Sequence, residues 1–321
     1  MKLLVTGGCG FIGANLCEYL LDQGGYSLRV LDNLSTGRRG YLAQIYEHTG
    51  LGVEFIEGDI RDRGVVDQVT VGVDAVVHLA AKPSVVESLD HPQEVFQVNV
   101  MGTLNLLEAC RQQGVSRFVL ASSNAVLGEQ SPPTHEQMVP LPVSPYGASK
   151  LACEGLCSAY HGSFGIEAVA LRLSNVYGPY CDHKTGVIPA FIRRARQGQP
   201  LVIYGDGTQT RDFIHVNDVA RAIELALTYK AGAENPQLAF QIGKGEPTEI
   251  REVAQRISKL AKEDRGQSVE LDFRDARPGE IVLNYSNPNR ARECLGFTAE
   301  VSLNEGLAGL WKRYAHNISS R

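Results

Sequence analysis

Tyr146 and Lys150 have the types and spacing that best fit acid–base chemistry. Pro145 disfavours helical geometry at the residue before it, and residues 147–160 have a helical pattern. The tyrosine is therefore expected at the helix entrance, with the lysine one turn later on the same face. A nearby ammonium favours the ionised form of a phenol, whose ordinary pKa is about 10. The same spacing is typical of a solvated helix face, so the catalytic interpretation depends on the surrounding elements.

Length, charge and cysteine usage restrict the class of protein. A chain of 321 residues predicts one large domain or two closely joined ones. A net charge of -5 does not favour nucleic acid as a partner. The seven cysteines show no metal-binding spacing, so we expect no metal. A strand pattern begins at residue 2 and no apolar run approaches about 18 residues, so we expect a cytoplasmic protein without membrane contact.

The first 23 residues predict a strand, a glycine-rich turn and a helix, which is the arrangement that binds a dinucleotide. In this arrangement Gly7 permits the tight turn. Gly10 lets the backbone approach a pyrophosphate at the helix N-terminus, and Gly13 lets helix and strand pack closely.

The next predicted strand, residues 28–31, ends at Asp32 and Asn33, where an acidic side chain binds the adenosine ribose. A carboxylate repels a 2′-phosphate, so this position favours NAD over NADP. Arg38 and Arg39 follow, and we expect them in a solvated loop.

Buried runs alternate with helices as far as residue 173, which predicts a Rossmann-type, doubly wound parallel sheet. Ligands of such sheets lie outside the carboxyl ends of the strands, and each predicted strand ends in a polar cluster. The further strands are predicted at 53–56, 75–79, 118–121 and 168–173, and one long helix at 92–113.

After residue 173 the pattern changes to short helices at 187–197 and 250–263 and single strands at 201–204 and 269–273. We interpret this part as a smaller mixed α/β domain that binds substrate. The helix at 216–229 and the strand at 240–243 resume the first pattern. The predicted division is therefore 1–173 with 212–243 returning to it, against 174–211 with 244–321.

Three polar positions have alternative interpretations. His78 has apolar neighbours and is best explained as a packed strand residue. Ser122 and Ser123 are either turn formers or hydrogen-bond donors at a strand end beside the Tyr146 helix. Asn99, in the long helix, is compatible with a packed polar residue that contacts a loop.

Eight motifs in order resemble the extended short-chain dehydrogenase/reductases, in the nucleotide-sugar epimerase/dehydratase branch. They are TGGCGFIG at 6–13, GDIRD at 58–62, HLAAKPSV at 78–85, ASSNAVLG at 121–128, YGASK at 146–150, RLSNVYGP at 172–179, GDGTQTRDFIHVNDV at 205–219 and RPGE at 277–280.

The resemblance implies site residues for NAD and for a UDP-sugar. The implied catalytic residues are Ser123, Tyr146 and Lys150. The cofactor residues would be Gly7, Gly10, Phe11, Ile12, Gly13, Asp32, Asn33, Asp59, Ile60, Leu79, Ala80, Ala81, Asn99, Tyr146 and Lys150. The substrate residues would be Lys82, Ser84, Ser123, Asn124, Asn175, Val187, Tyr204, Arg211, Arg277 and Glu280, with the two arginines on the diphosphate.

The implied reaction is 4-epimerisation through a transient 4-keto sugar. Tyr146 takes the proton of the sugar 4-hydroxyl, Ser123 shares the hydrogen bond, and hydride passes from C4 to NAD and back to the other face. Dehydratases of the branch have an Asp–Glu pair where this chain has Asn124 and Ala125. Alternatives are a 4,6-dehydratase, a UDP-glucuronate decarboxylase and a non-catalytic NAD-binding sensor.

The sugar stays open at this stage. Leu127 replaces the usual Tyr of the family, and Asp182 would repel a C6 carboxylate. Lys82, His183 or Lys184 would attract one. Asn284 and Tyr285 are the nearest residues to discriminate an N-acetyl group. The family also implies a homodimer that pairs through the helices containing Asn99 and Lys150.

Overall fold

A computed structural model describes residues 1–232, 238–276 and 281–318. The strands are β1 (Lys2–Thr6), β2 (Ser27–Asp32), β3 (Glu54–Glu57), β4 (Ala75–His78), β5 (Arg117–Ser123), β6 (Glu167–Leu173), β7 (Asn175–Tyr177), β8 (Leu201–Tyr204), β9 (Thr210–Arg211), β10 (Phe213–His215), β11 (Ala239–Ile242), β12 (Thr248–Glu249) and β13 (Leu271–Arg274).

The α-helices alternate with these strands in the first half and dominate the second. They are α1 (Phe11–Gln23), α2 (Gly40–Thr49), α3 (Arg63–Thr70), α4 (Val85–Asp90), α5 (Pro92–Phe96), α6 (Gly102–Gln113), α7 (Pro145–Phe164), α8 (Val187–Arg196), α9 (Val216–Thr228), α10 (Ile250–Arg265), α11 (Asn289–Leu295) and α12 (Leu303–Ile318). A π-helical turn (Gln97–Met101) joins α5 to α6, and a 3₁₀ turn (Asn124–Val126) follows β5.

A seven-stranded parallel sheet in the order β11-β6-β5-β4-β1-β2-β3 forms the centre of the molecule. The strand order reverses direction at β1, which pairs with β2 on one side and β4 on the other. The crevice outside the carboxyl ends at such a reversal is where Rossmann-type sheets bind ligands. The predicted doubly wound parallel fold is confirmed.

Alternate residues along the central strands supply two separate cores, because successive side chains of a strand point to opposite faces. Leu3 and Val5 of β1 pack in the core shared with α1, α9 and the C-terminal helices. Leu4, between them, packs in the core shared with α3, α6 and α7. All three leucine and valine side chains are fully buried, which explains why this short run forms a central strand.

The second part of the chain forms three two-stranded sheets, in the pairs β7 with β10, β9 with β12 and β8 with β13. β11 pairs with β6, so the chain returns to the central sheet after forming β8, β9 and β10. The helix α9 before it packs in the core that contains α1. The exact division of the chain into two domains stays a prediction.

The long helix predicted at 92–113 differs from the structure. It is interrupted by the π-helical turn, which begins at Gln97 and includes Asn99. The turn adds one residue to a helical turn, which moves the residues after it around the helix axis. The helices α2, α3, α4, α11 and α12 were not specified by the sequence pattern.

Candidate active site

Tyr146 and Lys150 lie in the first turns of α7, which begins one residue before the tyrosine. The Ser144 hydroxyl caps this helix by accepting a hydrogen bond from the amide of Gly147 at 3.1 Å, and Pro145 occupies its first turn. Tyr146 is 9% exposed and Lys150 is 4% exposed. A solvated helix face is therefore excluded for this pair.

Ser123 ends β5 and hydrogen-bonds the Tyr146 phenol. Gly147 permits this approach, because a Cβ at that position would lie 2.4 Å from the carbonyl oxygen of Ala125. Ser122 instead donates a hydrogen bond of 2.5 Å to Glu154, which also pairs with Arg172. Of the two serines, Ser123 is the one that the structure brings to the tyrosine.

Burial shifts the pKa of both members of the pair. Burial raises the pKa of Tyr146, and the hydrogen bond from Ser123 opposes that rise. Burial also lowers the pKa of Lys150, whose ammonium donates to the carbonyl oxygen of Ala121 at 2.8 Å. Desolvation is the largest effect on the phenol, so a positive charge beside it is needed to favour the phenolate.

Asn99 connects α7 to the loop after β4. Its amide nitrogen donates to the Ser149 hydroxyl at 2.9 Å, and its carbonyl oxygen accepts from the Lys82 amide at 2.8 Å. Asn99 is 1% exposed, so both groups need these partners. The π-helical turn therefore places a buried side chain that fixes the start of α7 relative to β4.

His78 is buried in the sheet and hydrogen-bonded at both ring nitrogens. The Thr103 hydroxyl donates to the carbonyl oxygen of Asn99 at 2.6 Å, so it accepts from Nε2 of His78, 3.0 Å away. Nδ1 then accepts from the Thr6 hydroxyl at 2.7 Å. Burial lowers the pKa of His78 to about 3. The interpretation as a packed, neutral strand residue is confirmed.

A cleft at the carboxyl ends of β1, β2 and β4 contains most of the predicted cofactor residues. They are Gly7, Gly10, Phe11, Ile12, Gly13, Asp32, Asn33, Asp59, Ile60, Leu79, Ala80 and Ala81. Asn99, Tyr146 and Lys150 do not line this cleft, although Ala121, which accepts from Lys150, does.

The sequence interpretation missed other residues that line the same cleft: Leu31, Ser35, Thr36, Gly58, Arg61, Pro83, Glu94, Val98, Ala121 and Lys184, together with Lys82, which was assigned to substrate. Most of them adjoin a predicted residue in sequence, so extending each motif by a few positions would have found them. Lys184 lies far from any cofactor motif.

At the end of the cleft where β2 and β3 lie, side-chain hydrogen bonds fix the loops that follow these two strands. The Asp32 carboxylate accepts from the amides of Cys9 and Leu34 at 2.9 and 2.8 Å. Burial raises the pKa of Asp32, and these two amides oppose the rise. The Arg61 guanidinium hydrogen-bonds Asp59 and holds the pKa of that carboxyl well below its usual range. Asn33 also donates to Asp59, at 2.9 Å.

The two arginines after Asn33 have specific contacts. Arg38 pairs with Asp182, with 3.0 Å between Nη1 and Oδ2, and Arg39 lies over the Phe55 ring at 5.0 Å from its centroid. Both residues are exposed in the loop after β2, as expected, and their side chains make these contacts at the surface.

A second cleft lies in the smaller part of the chain and contains four predicted substrate residues, Asn175, Val187, Tyr204 and Arg211. Thr185, Arg194, Gln209 and Arg274 also line it and were missed. Arg211 donates to the carbonyl oxygens of Thr210 and Ile281 at 2.8 Å each. The predicted Arg277 and Glu280 lie outside the described residues.

Three predicted substrate residues lie elsewhere. Ser84 caps α4 by accepting from the Glu87 amide at 3.1 Å. Lys82 lines the first cleft, where its ammonium is 3.0 Å from Glu94. Asn124 donates from its amide nitrogen to the Ser174 hydroxyl at 3.0 Å. This hydrogen bond connects the turn that follows Ser123 to Ser174, which precedes Asn175.

The sequence matches the model of the NAD dependent epimerase/dehydratase family over residues 3–243. The chain belongs to the NAD dependent epimerase/dehydratase family. The resemblance predicted from the motifs is confirmed, and NAD is the cofactor of this family.

Relatives from several organisms are similar over almost the whole chain. A putative UDP-glucose 4-epimerase of Methanocaldococcus jannaschii is 37% identical over 310 residues, covering 95% of each chain. A crystal structure of UDP-glucose 4-epimerase from Thermotoga maritima, with UDP-glucose, has a TM-score of 0.89 at 33% identity and covers 99% of this chain and 100% of its own. A dTDP-glucose 4,6-dehydratase of Streptomyces niveus is 34% identical over 99% of this chain and 94% of its own.

The first cleft of this family member fits a dinucleotide. Gly7 has φ of 71°, and a Cβ there would lie 2.7 Å from the Ala80 amide nitrogen. A Cβ at Gly13 would lie 2.2 Å from the carbonyl oxygen of Gly7. Glycine at these positions keeps the turn compact and opens the N-terminus of α1, where amides can bind a pyrophosphate.

The described residues contain no group of three or more His, Cys, Asp or Glu side chains that could hold a metal ion. None of the helices in the described ranges is long and apolar enough to cross a membrane.

Proposed function

We propose that the protein is an NAD-dependent 4-epimerase of UDP-hexoses, which interconverts the C4 epimers through a transient 4-keto sugar. The observation that supports this proposal is the end of β5, where Ser123 hydrogen-bonds Tyr146 and is followed by Asn124 and Ala125. An amide and a methyl group do not transfer protons. Water elimination from the keto sugar would need a further acid and base, whereas epimerisation needs none besides Tyr146.

The three proposed catalytic side chains have distinct tasks. Tyr146 removes the proton from the 4-hydroxyl of the sugar and returns it after the keto sugar has rotated in the site. Ser123 hydrogen-bonds the same oxygen. Lys150, held by the carbonyl oxygen of Ala121, supplies a buried positive charge that favours the phenolate. The residues of the first cleft would hold NAD, whose nicotinamide would supply reversible hydride transfer at C4.

The second cleft supports a nucleoside diphosphate as the part of the substrate that is bound away from the reacting sugar carbon. Arg194, Arg211 and Arg274 line it, and guanidinium suits phosphate oxygens because it donates in a fixed fork. Asn175 lines this cleft and is adjacent to Ser174, which Asn124 contacts. The proposed sugar position is therefore between this cleft and Ser123.

Charge pairing favours a neutral hexose over a hexuronate. Lys82, one of the cations expected to attract a C6 carboxylate, is paired with Glu94. The Asp182 carboxylate accepts hydrogen bonds from Arg38 and from the Tyr41 hydroxyl, so it faces the residues that follow β2. Lys82 therefore offers no free cation to a C6 carboxylate, and UDP-glucose is the first substrate to test.

The test is to incubate the purified protein, without added NAD, with UDP-glucose, UDP-glucuronate or UDP-N-acetylglucosamine, and to analyse the products by chromatography. We expect UDP-galactose from UDP-glucose. Conversion of UDP-glucuronate alone would contradict the neutral-hexose assignment, and release of carbon dioxide or a persistent keto sugar would indicate a decarboxylase or a dehydratase. Bound NAD without turnover of any of these sugars would support the sensor alternative.

A further inference from the structure

Three cationic side chains line the cofactor cleft, and two of them are neutralised by neighbouring carboxylates. Arg61 pairs with Asp59 at 2.7 Å, and Lys82 pairs with Glu94 at 3.0 Å. Lys184 differs, because its ammonium forms no ion pair with any carboxylate in the described ranges. Glu87 acts on it only as a more distant charge.

The backbone around Lys184 is fixed from two directions. We call residues Tyr180–Lys184 the bridging segment. Its Asp182 carboxylate accepts from Arg38 Nη1 at 3.0 Å and from the Tyr41 hydroxyl at 2.7 Å, both in the region after β2. On the other side, Nη1 of Arg193 in α8 donates to the carbonyl oxygens of Asp182 and Lys184, each at 2.7 Å.

The bridging segment also contains a strained residue. Tyr180 has φ of 62°, in the left-handed region, which is unfavourable for a non-glycine residue. Its ring packs on that of Tyr41, with 4.7 Å between the centroids. Packing and hydrogen bonds therefore hold a conformation that the backbone alone would not favour, and this conformation places Lys184 in the cleft.

An unpaired, partly buried ammonium is costly because it loses hydration without gaining a counter-ion. Burial accordingly lowers the pKa of Lys184. The same cleft contains the glycine turn from Gly7 to Gly13, whose shape fits a pyrophosphate, and a dinucleotide brings two negative charges to it. The desolvation cost of holding an unpaired cation there is offset when a bound ligand supplies the counter-ion.

We infer that Lys184 is a further cofactor-binding residue, whose ammonium binds the diphosphate of NAD within the cleft formed by the glycine turn. The bridging segment acts as its support. This inference does not depend on which sugar the enzyme converts, because it concerns the dinucleotide alone.

The experiment compares Lys184→Met, which keeps the length of the side chain, with Lys184→Arg, which keeps the charge. Dissociation constants are measured by calorimetry, in the absence of sugar, for NAD, for ADP-ribose, which has the diphosphate, and for adenosine, which lacks it. For Lys184→Met we expect about 10- to 100-fold weaker binding of NAD and ADP-ribose, the effect of losing one charged hydrogen bond. Adenosine binding should be unchanged, and Lys184→Arg should retain most of the affinity.

Lys259→Met is the matched control, because Lys259 is exposed on α10 and pairs with Glu263. It should leave all three constants unchanged. The inference is overturned if Lys184→Met binds NAD as the wild type does, or if adenosine binding falls as much as NAD binding, which would show a general structural loss. Binding of UDP is measured in parallel. A loss confined to UDP would assign the ammonium to the substrate diphosphate and would also overturn the inference.

Discussion

The Tyr146 phenol illustrates at the scale of one residue how burial and function oppose each other. Burial raises its pKa, and Lys150 is directed to the carbonyl oxygen of Ala121. The low local dielectric that makes the phenolate costly also strengthens the attraction between the phenolate and a positive charge brought next to it. The phenol is therefore expected to ionise readily only when the cofactor adds its positive nicotinamide ring.

Replacing the phenol tests this role directly. Tyr146→Phe should lower the turnover of UDP-glucose by roughly 10²-fold or more, because it removes the proton acceptor and donor. NAD content after purification should be unchanged. Tyr160→Phe is the control, since Tyr160 is on the same helix and its hydroxyl is also hydrogen-bonded, in this case to the Glu108 carboxylate. Turnover of Tyr146→Phe near the wild-type value would show that another group is the base.

At the scale of elements, Asp212 joins the loops that surround the second cleft. It is fully buried, and its carboxylate accepts from the Ser174 and Ser286 hydroxyls at 3.1 and 2.6 Å and from the Lys244 amide at 2.9 Å. Because a carboxylate only accepts, the Ser174 hydroxyl donates to it and accepts from the Asn124 amide nitrogen. Through the Ser174 hydroxyl, Asp212 thus sets the orientation of Asn124 beside Ser123.

Asp212→Asn should raise the KM for UDP-glucose by about tenfold, because the new amide group faces donors and displaces the Ser174 loop. The affinity for NAD should change little, since the first cleft does not contain this residue. Steady-state kinetics and NAD titration measure the two effects, and a urea unfolding curve checks the fold. Asp67→Asn, on the exposed surface of α3, is the control. A change in kcat with an unaltered KM would contradict the proposed positioning of the substrate loops.

Elements were predictable from the sequence where local pattern determines them. The run from Leu201 to Tyr204 matched its strand, and the central strands were located to within one or two residues, because buried runs bounded by polar clusters have few alternatives. The π-helical turn was not predictable, since one added residue does not interrupt the apolar periodicity of a long helix. The burial of Tyr146 and the position of Lys184 in the first cleft depend on contacts with segments that are distant in sequence. Residue spacing alone does not reveal such contacts.

At the scale of the whole molecule, the neutral His78 connects stability to pH. Its pKa is about 3 in the folded protein against an ordinary value of 6.5, so the unfolded chain binds the proton first as the pH falls. The free energy of unfolding should therefore decrease from about pH 6.5 downward, by about 2 to 3 kcal/mol at pH 4.5 from this residue. Urea unfolding at pH 7 and pH 4.5 measures the loss.

His78→Asn should reduce this pH-dependent part while lowering stability at pH 7, because the new side chain cannot reach both threonine hydroxyls. His48→Asn, an exposed site that pairs with Glu18, is the control and should keep the wild-type pH dependence. An unchanged difference between the two pH values in His78→Asn would exclude His78 as its source.

Association of two chains is the last expectation at this scale. Val86, Leu89, Phe96 and Met101 are large apolar side chains left exposed on α4, α5 and the π-helical turn, and α4 and α5 both contact α7. Exposed apolar residues concentrated on adjacent elements are typical of a subunit interface. We propose that these elements, together with α7, pair in a homodimer, as the family resemblance implies.

Phe96→Glu should convert the dimer into a monomer, because pairing across a twofold axis would bury two new carboxylates without partners. Sedimentation velocity should give twice the chain mass for the wild type and the chain mass for the variant. Phe273→Glu is the control, since Phe273 is comparably exposed on β13, away from these helices. The control should remain dimeric. A wild-type monomer, or dissociation caused by Phe273→Glu but not by Phe96→Glu, would contradict this interface. Because Asn99 and Tyr146 lie on the pairing elements, dissociation should also lower turnover by loosening the start of α7.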